Sequence, residues 1–206
     1  MQHVVVVGVA WLLAAPVPKE KAREFTCLDL QQEANWQLTE GEGNNLAALP
    51  KKQQTFGGVK FNIGDGLIQL GSSTLADKPE KVEGIKVGMT CRKIHFLHAC
   101  HRSAKDDAII GYYTVNYEDK SQETIALVYG KDIADWWYTE GAAQPSRAKV
   151  AWNGENDVAK DQGSKIRLYL RTWRNPEPLR KVVSIDFGST SYTGTSPFCV
   201  AITVEK

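Results

Sequence analysis

The stretch Lys165-Ile-Arg-Leu-Tyr-Leu-Arg-Thr-Trp173 decides the fold class. Side chains of an extended strand alternate between two faces, so Ile166, Leu168 and Leu170 share one side. Arg167, Tyr169, Arg171 and Trp173 share the other. The same two-residue period recurs in Ile94, Phe96 and His98, and again in Phe198, Val200, Ile202 and Val204. Runs of β-forming residues bounded by Gly, Pro, Asp and Asn predict strands over 25–30, 58–63, 67–70, 82–87, 91–99, 109–117, 122–129, 146–152, 165–173, 181–187 and 198–204. Tyr117-Glu-Asp-Lys-Ser121 reads as the turn of a hairpin. Segments 31–38 and 130–138 hold at most one helical turn each. No repeat or long linker divides the chain, so the reading is all-β, a single-domain β-sandwich.

The 206 residues carry 25 Lys+Arg against 24 Asp+Glu, a net charge of +1. That balance supplies no overall field for a phosphate backbone or an anionic membrane, and nucleic acid is not expected as a partner. Hydrophobic residues make up 42 % of the chain, enough for a core. Residues 4–17 (VVVVGVAWLLAAPV) are apolar without a break, and charges begin abruptly at Lys19. As a helix this run would reach about 21 Å, short of the ~30 Å hydrocarbon core, which suits a signal-peptide core better than a membrane span. A first core strand is the rival, but Gly8 is not followed by the glycines of a dinucleotide loop. Residues 1–18 are therefore expected to be an export signal and 19–206 the β-sandwich domain, placed in the periplasm or outside the cell with no membrane span.

Few residues suggest chemistry. Cys27, Cys91, Cys100 and Cys199 contain no C-x-x-C pair. Cys91 and Cys100 sit at opposite ends of one strand, about 30 Å apart by strand rise, too far for a disulfide. Cys27 and Cys199 lie in strands that neighbour each other in many sandwiches; pairing and four buried free thiols both remain open. His95, His98, Cys100 and His101 could supply metal ligands, yet alternation turns His95 and His98 to opposite faces, so no metal site is expected. Asn153, Glu155, Asn156, Asp157 and Asp161 form an oxygen-rich loop that could take Ca²⁺ but lacks EF-hand spacing, and a solvated turn is preferred. Asp186-Phe-Gly188 and Gly64-Asp-Gly66 lack the companion motifs of kinases and phosphate loops. No nucleophile, base and orienting acid group together.

Aromatic residues carry the stronger signal. Rings and guanidinium groups on the second face of 165–173 could stack on sugars, or could pack on one another as cation–π pairs. Trp136, Trp137 and Tyr138 follow Asp132 and Asp135 in a loop, where they would plug one end of the sandwich or line a cleft. Trp152-Asn-Gly154 is a third such place.

The run Gln54–Gly71, with Lys93-Ile-His-Phe-Leu-His-Ala99, Val128–Trp137, Thr172-Trp-Arg-Asn-Pro-Glu-Pro178, Val183-Ser-Ile-Asp-Phe187 and Pro197–Val204, resembles exported bacterial β-sandwich domains of the galactose-binding-like jelly-roll type, including carbohydrate-binding modules attached to glycoside hydrolases. The resemblance implies a non-catalytic domain that binds glycans through loops at one end or along one sheet face. The residues expected to touch a glycan or cell-surface polysaccharide are Trp136, Trp137 and Trp173 for stacking, with Asp132, Asp135, Arg171 and Asn175 for hydroxyls. An accessory ectodomain contacting another protein is the second reading, and a glycoside hydrolase-like enzyme the least favoured third.

Overall fold

The computed structural model describes residues 23–190 and 193–206. The expected export segment, and residues 191 and 192, lie outside the described residues. Among the described residues no helix is long and apolar enough to cross a membrane.

Among the described residues fourteen strands and one short helix follow one another: β1 (Phe25–Cys27), β2 (Trp36–Gln37), β3 (Lys52–Phe56), β4 (Val59–Ile63), β5 (Gly66–Gln69), β6 (Lys81–Met89), β7 (Lys93–His101), β8 (Ile109–Tyr117), β9 (Gln122–Val128), β10 (Trp137–Tyr138), β11 (Ala148–Gly154), α1 (Asp157–Asp161), β12 (Lys165–Arg174), β13 (Val182–Ser189) and β14 (Ser196–Glu205). All pairings between strands are antiparallel. One sheet runs β10-β12-β7-β14-β5-β2, with β1 also on β14 and β11 on β12; a second runs β6-β13-β8-β9; β3 and β4 form a separate hairpin. The chain is an all-β sandwich, as its alternation predicts.

The large sheet is buried on both faces. Toward the four-stranded sheet, Ile94, Phe96, Ile202 and Val204 meet Val115, Ile185 and Phe187. Phe96 stacks on Tyr113 with ring centroids 3.9 Å apart, and Tyr113 on Phe187 at 4.6 Å, so aromatic faces tie the two sheets together. On its other side, Leu97, Val200, Leu168 and Leu170 are covered by Phe56 and Phe61 of the hairpin, by Leu38, Leu46 and Leu49, and by Ala159 of α1. Strand β14 is accordingly buried at all ten positions. Lys93–His101 is buried at every position but its two ends for the same reason: both faces leave water.

The β3–β4 hairpin turns at Gly57 and Gly58, with φ of 56° and 78°. Two consecutive left-handed residues make the tight turn whose twist matches the strands, and glycine adopts it without steric cost. The expected turn at 117–121 is also present. Ser121 N–H donates to Asp119 Oδ1 at 3.0 Å, and Lys120 takes φ of 68°. The oxygen-rich loop builds a helix end: Asn156 Oδ1 accepts Ala159 N–H at 2.7 Å as the N-cap of α1. Among the described residues no three His, Cys, Asp or Glu side chains come together as a metal site.

All four cysteines are free thiols. β1 does pair β14, but Cys27 sits opposite Thr203, leaving Cys199 four residues further along, about 13 Å at strand rise. Burial pushes the Cys91 thiol up to about 11 and Cys199 to about 12, so neither is a nucleophile near neutrality.

Candidate functional site

The outer residues of β12 do not face water. Tyr169 is fully buried and Arg167 is 5 % exposed. The cause is the segment from Tyr129 to Tyr138, which folds back across the strand. Within it Trp136 N–H donates to Cys100 O, and Arg167 N–H to Trp136 O. Arg167 then lies over Tyr138 at 4.5 Å and Tyr169 at 5.2 Å, the mutual cation–π packing weighed above. Its Nε donates to Tyr169 Oη at 2.5 Å and its Nη2 to Ala143 O at 2.8 Å.

That packing builds one wall of a cleft of about 600 Å³ at this end of the sandwich, lined by Ser103, Asp135, Trp137, Tyr138, Ser146 and Arg167 among others. Trp137 and Tyr138 are half-buried and border the space. The indole of Trp137 is pinned by its Nε1–H, which donates to Asn44 Oδ1 at 3.1 Å. Asp135 accepts from Ser103 Oγ–H at 3.0 Å and from Trp137 N–H at 3.1 Å. Burial raises its carboxyl above the usual range, although those two donors oppose the shift. Ser103 thus holds the carboxylate in place at the cleft wall. Lys131 and Asp107 close an ion pair at the rim, 2.7 Å apart. The cleft offers two fixed rings, hydroxyls, the carboxylates of Asp106, Asp107 and Asp135 and the amide of Gln144, a set of groups that can hold a polar, ring-shaped molecule.

The seven residues expected at the site are divided. Trp137 and Asp135 line the cleft. Asp132 lies behind it, 1 % exposed, its Oδ1 accepting Arg171 Nε at 2.7 Å and its Oδ2 accepting Arg147 Nη2 at 2.5 Å. Trp136 plugs the sandwich, edge-on to Phe198 at 5.9 Å and to His101 at 6.4 Å, and borders a separate apolar pocket of about 240 Å³. Trp173 packs against the inter-sheet core. Asn175 is buried, donating to Cys91 O at 2.9 Å and accepting Tyr117 Oη–H at 2.5 Å, so it ties a loop. Strand β12 separates Arg167 from Asn175 by eight residues, about 26 Å at strand rise. Tyr138, Arg167 and Ser103 also line the cleft, although they were not among the residues expected to touch the ligand. The signal for Tyr138 is its place in the Trp-Trp-Tyr run; for Arg167 it is the guanidinium-and-ring face of β12.

No family model matches this chain, and no curated protein matches it.

Proposed function

We propose that this chain is a non-catalytic carbohydrate-binding β-sandwich, exported from the cell that makes it, with its saccharide held in the cleft beside Trp137 and Tyr138. The observation that carries the reading is the fixed pair of half-buried rings on the wall of a polar cleft. Rings already held by Asn44 and Arg167 lose little conformational freedom on binding, which favours affinity. A volume of about 600 Å³ falls within the range of small-ligand sites and is large enough for one or two sugar units. The apolar segment 4–17 supports export, and the strand pattern is compatible with the galactose-binding-like jelly rolls that the sequence resembles.

Retention on polysaccharide-containing native gels tests the reading. Trp137→Ala is expected to weaken retention about tenfold or more, the scale of a central anchor residue. Leu179→Ala, at a side chain that is 93 % exposed in the loop beyond the far end of β12, is expected to leave retention unchanged. Equal retention of the folded Trp137→Ala protein and the wild type would overturn the assignment of the cleft.

A further inference from the structure

A second cleft, of about 570 Å³, opens where the hairpin stops covering the large sheet. Arg23, Lys93, Arg147, Lys149, Arg171 and Arg174 all line it. Two carboxylates answer these six cations. Glu205 Oε1 pairs with Lys93 at 2.6 Å, and the buried Asp132 is shared by Arg147 and Arg171. Glu205 Oε2 also accepts from His95 Nε2 at 3.1 Å, so its remaining capacity is already spent on a neighbour. Among the described residues Arg23, Lys149 and Arg174 have no ion-pair partner. In a chain whose net charge is only +1, this is a local concentration of like charge. Crowded cations repel, and the repulsion is relieved when an anion enters.

The two clefts are neighbours. Ser146 borders the aromatic one and Arg147 the cationic one, and the Arg147–Asp132–Arg171 ion triad stands between them. Trp137 pairs with Ile166 of β12, four residues from Leu170 beside Lys149 and eight from Arg174, about 13 and 26 Å at strand rise, so a ligand that spans both clefts is an oligosaccharide of several units. Guanidinium forks match the two oxygens of a carboxylate or sulfate, whereas neutral hydroxyls gain little from such a surplus of charge. The cations are gathered in one pocket rather than spread along a track, which fits one or two anionic groups and not a nucleic-acid backbone.

We propose that the ligand is an acidic saccharide, its uronate carboxylates or sulfate esters seated in the cleft of Lys149, Arg171 and Arg174 while a sugar ring stacks on Trp137. The choice of a sugar as the carrier of the anion rests on the function proposed above; the demand for an anion rests on the cationic cleft alone.

Isothermal titration with oligogalacturonate, its methyl ester and a chondroitin sulfate oligosaccharide separates the two. At least one of the acidic probes is expected to bind and to weaken about tenfold or more when salt rises from about 50 to about 500 mM. The methyl ester should bind more weakly and with little salt dependence. The double variant K149E/R174E alters two exposed side chains and is expected to lose about tenfold or more for the acidic probe while keeping affinity for the ester. W137A should weaken both forms. Equal affinity for acid and ester, or acidic binding untouched by K149E/R174E, overturns the acidic-ligand inference and leaves the aromatic cleft standing. Binding of inorganic sulfate or polyphosphate with no saccharide bound removes the saccharide and overturns the inference with it.

Discussion

Asp132→Ala is expected to lower the unfolding free energy by about 3–5 kcal/mol, the scale of breaking a buried ion pair from one side. The carboxylate is 1 % exposed and answers two guanidinium groups and the Val128 N–H. Without it Arg171, whose side chain is only 18 % exposed, keeps its charge in a poorly hydrated place with no carboxylate to meet it. Arg147 is different, because 49 % of its side chain reaches water and can be hydrated when the pair is broken. Arg147→Ala is therefore expected to cost no more than about 1 kcal/mol. Chemical denaturation of the two variants checks the contrast. Equal small losses would mean that Arg171 finds water or another partner. The same residue organises the backbone: Asp132 N–H donates to Val128 O, and its own carbonyl accepts from His98. The Asp132→Ala protein should consequently also loosen the segment that carries Trp137.

Acid should destabilise the fold well before the carboxylates titrate. His98 is wholly buried, with Nε2 at 3.1 Å from Asp132 O and Nδ1 at 3.2 Å from Tyr113 Oη. A carbonyl only accepts, so Nε2 carries the proton and Nδ1 accepts from the tyrosine. Burial lowers the His98 pKa to about 4, with the backbone bond to Asp132 and its charge opposing the shift and Arg171 adding to it. The unfolded chain binds this proton near pH 6.5, the folded protein only near pH 4. Stability is thus complete above about pH 6.5, falls as the pH drops to about 4, and loses about 3 kcal/mol from this residue. His95 and His101 are also lowered by burial and act in the same direction. Asp135, raised by burial, works against them at the acid end of that range, because the folded state holds its proton more tightly. Urea midpoints at pH 7, 5.5 and 4.5 should decline steadily, and His98→Gln should flatten much of the slope. A midpoint independent of pH over this range would contradict the buried neutral imidazole.

The strands were legible because their apolar residues repeat at a period of two, but in β14 the bulge between Cys199 and Ala201 breaks that period, so Phe198 and Val200 face the hairpin side while Ile202 and Val204 face the four-stranded sheet. What the alternation of Ile166, Leu168 and Leu170 does not show is whether the other face meets water. In β12 it meets the returning chain at Ala134–Trp136, a contact between residues about 30 positions apart. Strand β3, Lys52–Phe56, escaped because its outward Lys, Gln and Thr side chains leave only Phe56 buried; the Gly57-Gly58 pair was its available signal. Strands β2 and β10 have two residues each, too few for any period. At the site, Trp137 and Asp135 were recognisable as ring and carboxylate close together in one loop. Arg171, Trp173 and Asn175 were grouped with them on the aromatic and polar strand face and the resemblance, and the ten-residue length of β12 carries them away from the cleft. The cationic cleft was invisible to a net charge of +1, because Arg23, Lys93, Lys149 and Arg174 come from four separate segments.

Nuclear magnetic resonance of the indole N–H groups during titration with a retained saccharide tests whether the ligand sits against Trp137. The saccharide reading predicts that the Trp137 resonance shifts in step with binding while those of Trp36 and Trp173 stay in place. Saturable binding that moves Trp173 or Trp36 and leaves Trp137 unmoved would contradict it.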